Sequence, residues 1–482
     1  MDLWSDWRVL AGEISILGYL LTLALVPMVI LTKKPSPVST VAWVMVIVTM
    51  PFLGAILFLI FGINRVGRRV SRRHAAAEFV TRGLPQLASH HLLLTDDLNP
   101  TQRSLLVLAE RVGETKATSG NRVQLYAHTK QAFEAIQAAI DQAQKSIHLE
   151  YYIWQPDKIG TRIRDQLIAR AKAGVKVRFL YDALGSMRIT EAFLEPMRRA
   201  GIQAAPFLPG RSLRERWSIN LRSHRKIVLI DSVIGFTGGM NVGDEYLGKN
   251  KHFGYWRDTH LKLEGPAVQQ LQEVFATDWY FATEEELNVG ESFPQPEAVG
   301  RVDAQVLAGG PDRAESVFHS TFFAAINEAK QRITLATSYF VPTPALCTAL
   351  ETAALRGVKT RVLVSGPVTY WTSYHACRSF YDELLDAGVE IYEYRRGQQH
   401  AKTLTVDGCW SLVGTPNFDA RSVFLNFEVG LALYNTGLAE QLEDHFDQDL
   451  ADSVRIELSE WKKRSTWERV KENSCRMFAP VL

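Results

Sequence analysis

Two short stretches of this chain carry side chains suited to chemistry on an anion. In HRKIVLIDSVIGFTGGMN, His224, Lys226 and Asp231 are followed by Gly238, Gly239 and Asn241. In HAKTLTVDGCWSLVGTPN, His400, Lys402 and Asp407 are followed by Gly414, Thr415 and Asn417. Both fit one gapless pattern, H-x-K-x4-D-x6-G-[GT]-x-N. On a strand, residues two apart share a face. Each histidine therefore points the same way as its lysine, while Val228 and Ile230 continue the strand into a core. The Gly-containing turn lets backbone and asparagine approach a bound group. If the copies meet, one cleft holds two histidines, two lysines and two asparagines. Such a cleft suits a phosphate, whose oxygens the lysines and amides neutralise and hydrogen-bond. One histidine can attack phosphorus while the other protonates the departing oxygen. A single match would be weak, but two at equivalent places in a repeat are specific.

The elements that position these residues are themselves repeated. AIDQAQKSIHLEYYIW (Ala139 to Trp154) matches AINEAKQRITLATSYFV (Ala325 to Val341), with Ile147 and Ile333 offset by 186. Each is the end of an amphipathic helix running into an alternating strand. AKAGVKVRFLYD and ALRGVKTRVLV follow, each a helix end, a Gly and a buried strand, which is a βαβ signature. The motif histidines are offset by 176 against 187 for Ala200 and Ala387, so the first copy has about eleven extra residues before His224. The expected class is α/β, with two similar domains about a pseudo-two-fold axis, at 121–290 and 301–482. The linker is read at Glu284 to Gly300, which is acidic and contains Pro294 and Pro296. Residues 75–120 read as a polar, partly helical connector. Its His90-His91 pair reads as a solvated loop.

Composition adds a membrane module. The 482 residues allow two or three domains. A 46% hydrophobic, 22% charged chain is neither collagenous, mucin-like nor wholly disordered. A mean hydropathy of −0.07 argues against a polytopic transporter. The average hides an asymmetry. Residues 1–74 hold eight Lys/Arg and three Asp/Glu, whereas the rest is net −3. Ile14 to Leu31 and Ser39 to Ile63 are uncharged apolar runs. A bilayer core of about 30 Å needs roughly 20 helical residues. The two runs therefore predict a two-helix transmembrane hairpin, spans about 14–31 and 39–63, turning at Thr32 to Pro37. Arg8, Arg65, Arg68, Arg69, Arg72 and Arg73 outnumber Lys33 and Lys34 of the turn. The positive-inside bias then puts both termini, and the body, in the cytoplasm. The arginine cluster could also hold anionic head groups. A cleaved signal fits poorly, because the start is acidic and no clear A-x-A site follows. Cys347, Cys377, Cys409 and Cys475 lack zinc or disulfide spacing. No metal or cofactor is expected from these patterns.

The duplicated motif resembles the signature of the phospholipase D superfamily. More narrowly, TGGMNVGDEYLG, GYWRDTHLKLEGPAV, QQHAKTLTVDG and VGTPNFDARSVFLNFEVGLALYN resemble bacterial cardiolipin synthases. The resemblance implies a covalent phosphatidyl-histidine, formed without a metal and passed to an alcohol. It implies His224 as nucleophile and His400 as general acid, then base. Lys226 and Lys402 bind phosphate, together with Asn241, Asn417, Gly239 and Thr415. Asp231 and Asp407, grouped with the catalytic set, are usually structural in this superfamily. A downstream acidic residue typically orients each motif histidine, and the matching positions are Asp258 and Glu428. The implied substrate is phosphatidylglycerol, with phosphatidylethanolamine as an alternative second lipid, in a bacterial inner membrane. Nucleic acid is not expected, because the body lacks a basic stripe. The alternatives are a hydrolase or nuclease using water, and a scaffold with a dead site.

Other residues read as follows. Pro209 to Arg222, with Arg211, Arg214, Arg216, Arg222 and Trp217, is either an interfacial or a solvated loop. Tyr370 to His375 reads as a cap on the core, with lipid access as the other reading. Trp256, Trp279 and Trp410 read as packing residues, and Glu150 as a structural hydrogen-bond partner.

Overall fold

The computed structural model describes residues 19–20, 22, 24–31, 37–59, 67–83, 92–93, 98–208, 221–287, 289–313 and 315–478. The parts of the two apolar runs outside these ranges, residues 32–36, Arg8, Arg65, His90, His91 and residues 209–220 lie outside the described residues, as do the side chains of Arg68, Arg69 and Arg72. The chain divides into two compact units. One comprises Met1–Arg69 and Gly210–Ile219, the other Val70–Pro209 and Asn220–Leu482.

In the smaller unit, helices Leu25–Leu31, Pro37–Thr49 and Pro51–Leu57 are described. Val29, Ile47 and Phe58 bury together, and Trp43 meets Phe58 edge-on at 5.6 Å. Leu31, Val38 and Val41 face outward, 85%, 75% and 61% exposed. The second predicted span is interrupted at Met50, because Pro51 has no N–H to continue the helical ladder. Among the described residues, no helix is long and apolar enough to cross a membrane.

The larger unit is a duplicated α/β body. Its first sheet runs, in spatial order, Gln203–Phe207, Lys176–Asp182, Ser146–Tyr151, Ile227–Ile230, Ile234–Gly238, Tyr255–Glu264 and Thr118–His128. The first two pairings are parallel and the rest antiparallel. The second sheet repeats this order and sense with Glu390–Tyr394, Lys359–Ser365, Arg332–Thr337, Thr403–Val406, Trp410–Gly414, Asn426–Leu433 and Val302–Gly309. Thr118–His128 also pairs with Val302–Gly309, so the two sheets join edge to edge.

The sequence pattern explains these elements. Thr129–Gln142 buries Ala132, Phe133, Ile136, Ala139 and Ile140, an i, i+3/i+4 stripe. Every residue of Ser146–Tyr151 is buried, as expected of a central strand covered on both faces. Truncating one of them, Leu149→Ala, would cost about 2–5 kcal/mol. Gly174 and Gly357 end the crossover helices with φ of +94° and +87°. Nothing crowds a Cβ at either position, so the left-handed backbone, not space, calls for glycine.

The connector is more built-in than expected. Asn99 and Gln102 form a capping box on Pro100–Gly113. That helix buries Leu105, Leu106 and Ala109 in the core of the second half, beside Phe318 and Phe322. Arg73 also departs from expectation. It is buried, 5% exposed, and ion-paired to Asp278 and Asp312 rather than offered to head groups. Two carboxylates make that burial tolerable, since a buried charge must be paired.

Candidate active site

The strands Ile227–Ile230 and Thr403–Val406 begin directly after Lys226 and Lys402. The segments leading into them cross between the halves. Arg222–Ser223 pairs in parallel with Asn426–Phe427, and Gly397–Gln399 with Tyr255–Arg257. His224 N–H donates to the Phe427 carbonyl at 2.9 Å, and His400 N–H to that of Arg257 at 2.7 Å. The next residue on each receiving strand is an acid. His224 Nδ1 therefore lies 2.9 Å from Glu428 Oε2, and His400 Nδ1 2.7 Å from Asp258 Oδ2. The carboxylates are exchanged: each half supplies the acid for the other half's histidine. With Nδ1–H donated to a carboxylate, each neutral ring keeps its lone pair on Nε2.

Each acid is held differently. The Thr415 hydroxyl donates to Glu428 Oε2 at 2.5 Å, and Asn426 Nδ2 to Oε1 at 3.2 Å. Asp258 Oδ1 accepts the Thr259 N–H at 2.8 Å. Gly239, which aligns with Thr415, makes room instead. A Cβ there would fall 2.1 Å from Asp258 Oδ1 and 2.8 Å from the His400 carbonyl.

Burial dominates the electrostatics. It lowers His224 to about 4 against the pull of Glu428, and His400 to about 3 with help from Lys402. Burial also lowers Lys226 to about 7 and Lys402 to about 8. Burial alone would raise Glu428 and Asp258, but His224 and His400 respectively hold them below the usual carboxylate range. Lys226 Nζ donates to the His224 carbonyl at 2.6 Å and lies 5.4 Å from the Tyr152 ring centre. Lys402 Nζ donates to the His400 carbonyl at 2.5 Å and to Ser338 Oγ at 3.3 Å.

A cavity of about 250 Å³ opens on both histidines and on Asn241 and Asn417. Asn241 braces its wall, accepting the Ile153 N–H at 3.2 Å and donating to the Tyr246 hydroxyl at 3.1 Å. Asp231 and Asp407 are elsewhere, at the far ends of their strands. Asp231 accepts the N–H groups of Gln144, Lys145 and Ser146, and Asp407 those of Lys330, Gln331 and Arg332. Both have left-handed backbones, φ +53° and +51°. They lock the helix-to-strand turns and are not among the residues lining the cleft, a structural place in keeping with what the resemblance implies for them.

Several cleft residues were misread or missed in the sequence. Trp256 is not only a packing residue, since its ring is 5.1 Å from that of His400. Tyr370 and Ser373 line the cleft rather than merely capping the core, and Arg222 is buried there rather than part of a surface loop. Trp279 and Trp410 are core. Glu150 bonds Ser223 Oγ at 2.5 Å, one residue from His224, and burial pushes its carboxyl up to about 8. Tyr152, 5.1 Å from His224, and buried His260, coupled to Asp258, carried no distinguishing sequence signal. The pseudo-two-fold is also unequal. Arg222 and Arg421, which both act on Tyr152 beside His224, occupy the motif positions that Gln398 and Glu245 hold in the other copy, and all four line the cavity.

Comparisons with known proteins agree with this architecture. The family described as "Cardiolipin synthase, PLD-like domain" matches residues 136–279 and 322–450. The family "Phospholipase D-nuclease N-terminal" matches residues 20–62. A cardiolipin synthase of Geobacillus kaustophilus (strain HTA426) is 39% identical over 461 residues, 95% of this chain and 91% of that one. One from Geobacillus sp. (strain WCH70) is 38% identical over 484 residues, 100% and 96% of the two chains. The crystal structure of phosphatidylserine synthase from Haemophilus influenzae Rd KW20 matches with a TM-score of 0.57 at 14% identity, covering 80% of this chain and 100% of that one, a likeness of fold.

Proposed function

The chain belongs to the cardiolipin synthase family of phospholipase D-like proteins and makes cardiolipin; we propose that it does so by passing the phosphatidyl group of one phosphatidylglycerol to a second, releasing glycerol. The observation that carries this reading is the pair of histidine–carboxylate dyads opening on one cavity. His224 Nε2 attacks phosphorus and the bond to the glycerol oxygen breaks. His400, entering the step protonated on Nε2 as an imidazolium paired with Asp258, gives that oxygen its proton. A hydroxyl of the second lipid then loses its proton to His400 and attacks phosphorus. The phosphorus–nitrogen bond breaks and its electrons return to His224. Lys226 and Lys402 offset the charge on the non-bridging oxygens, so the reading needs neither a metal nor a nucleic-acid groove. Gln398, two residues before His400, and Glu245, in the lining of the same cavity, suit a departing polyol, which supports His224 as the nucleophile.

The apolar N-terminal segment supports a membrane-associated enzyme, and its outward apolar residues suit contact with lipid. A two-span hairpin in a bacterial inner membrane, with the body on the cytoplasmic side, completes the proposal. A reporter fused to the C-terminus tests it, since periplasmic activity would reverse the orientation.

Purified protein given phosphatidylglycerol vesicles and a chelator is expected to yield cardiolipin and glycerol in equal amounts. Phosphatidic acid as the sole product would make it a hydrolase instead. Phosphatidylethanolamine, added as a competing lipid, tests the choice of second substrate.

Activity should also fall on the alkaline side. The lysines bind phosphate as cations, present below their pKa values and lost above them. With Lys226 near 7 and Lys402 near 8, kcat/KM for phosphatidylglycerol is expected to decline as pH rises through that window. A profile flat to pH 10 would exclude these lysines as the titrating groups.

A further inference from the structure

Behind the His224–Glu428 dyad runs a buried chain of charges that the transfer chemistry does not use. Arg225, between His224 and Lys226, donates through Nε to the Glu428 carbonyl and through Nη2 to that of Gly309, both at 3.1 Å. Its Nη1 pairs with Asp278. Asp278 also takes Arg73, whose Nε and Nη2 lie 2.9 and 2.8 Å from Oδ1, and Arg73 reaches on to Asp312. The two guanidiniums lie 4.9 and 5.7 Å from the ring centre of Phe427. Phe427 immediately precedes Glu428, and its carbonyl accepts the His224 N–H.

The other dyad is backed by a shorter version of the same device. Arg257 Nη1 donates to the Asp258 carbonyl at 2.5 Å, and its Nε pairs with Asp449 at 2.7 Å. Among the described residues, no ion pair links Arg257 or Asp449 to the helix Gly67–Gly83, which carries Arg73. That helix follows the apolar N-terminal segment in sequence and lies outside the two duplicated stretches.

We propose that Arg73 is a positioning residue for His224, acting through Asp278, Arg225 and the Phe427–Glu428 backbone. The proposal rests on the reading of His224 as the group-bearing histidine. Arg73 and Arg225 balance Asp278 and Asp312, all four nearly fully buried. Without Arg73 an uncompensated carboxylate is left behind Glu428, and the ring that braces its backbone loses one of its two cationic neighbours. The first chemical step thereby depends on where Arg73 sits on the helix Gly67–Gly83.

The test uses the full-length protein in phosphatidylglycerol vesicles and follows consumption of that lipid, whatever the product. Arg73→Met is expected to lower kcat roughly 10-fold while leaving KM within about twofold. Its loss should not add to that of Glu428→Gln but should add to that of Asp258→Asn, and Arg73→Lys should recover part of the rate. Arg82→Met, at an exposed site on the same helix, should match the wild type. If Arg73→Met does not fold, Asp312→Asn takes its place in the same cycle. An unchanged kcat, or full additivity with Glu428→Gln, overturns the proposal. A wild-type protein that leaves phosphatidylglycerol untouched would instead overturn the functional reading, so the two failures are distinguishable.

Discussion

His224→Ala is expected to abolish phosphatidyl transfer, with kcat reduced by at least about 10⁴, or roughly 5.5 kcal/mol of barrier. The ring is the nucleophile in the proposed route, and among the described residues lining the cleft the only other histidine is His400. His400→Ala should be as inactive toward phosphatidylglycerol, because the glycerol oxygen cannot leave without a proton. The two variants part company on a donor whose leaving group needs none, such as a p-nitrophenyl phosphodiester. With that donor, His400→Ala should still accumulate the phosphorylated protein, detected by mass spectrometry on His224. His224→Ala should accumulate none. An adduct on His400 in the His224→Ala protein would reverse the assignment, and full activity in either variant would refute a shared cleft. The double variant should be no worse than either single one, since residues acting as a unit are not additive.

Much of this site was legible in the sequence because its signals are local. The strand period places His224 with Lys226 and His400 with Lys402, and the repeat announces a two-fold body. Asp258 and Glu428 were found through the resemblance. What could not be read is which histidine each one serves. That depends on strand pairings across 204 and 142 residues, and no local pattern encodes them. Gly239 was legible as part of a motif but not as the space into which the Asp258 carboxylate fits. Trp256 looked like core and Tyr152 carried no signal, because a strand that ends at a cleft has the same alternation as one that ends in packing. Arg73 read as a membrane-facing charge because charge counting sees its neighbours in sequence, not Asp278 and Asp312. The motif aspartates are conspicuous in sequence for another reason: each satisfies three backbone N–H groups, a structural demand as specific as a chemical one.

The exchange of carboxylates predicts a reversal of the effects expected from sequence neighbourhood. Glu428 follows His400 in the chain, yet Glu428→Gln should damage the step that His224 performs. The amide keeps the shape and can still accept the Nδ1–H bond. It lacks the charge that stabilises the imidazolium-like state formed as Nε2 bonds to phosphorus. A loss of about 10²–10⁴ in kcat is expected, by analogy with other histidines deprived of their carboxylate partner. The loss should persist with the p-nitrophenyl donor, because the attack itself is slowed. Asp258→Asn should be comparably slow with phosphatidylglycerol, where His400 must hold and release a proton. With the p-nitrophenyl donor it should form adduct within about threefold of the wild-type rate, since no proton has to move. Pairing within each copy would give the opposite pattern, with Asp258→Asn slowing adduct formation and Glu428→Gln sparing it. Single-turnover rates of adduct formation for both variants, measured with both donors, therefore read out the interdigitation of the two halves as chemistry.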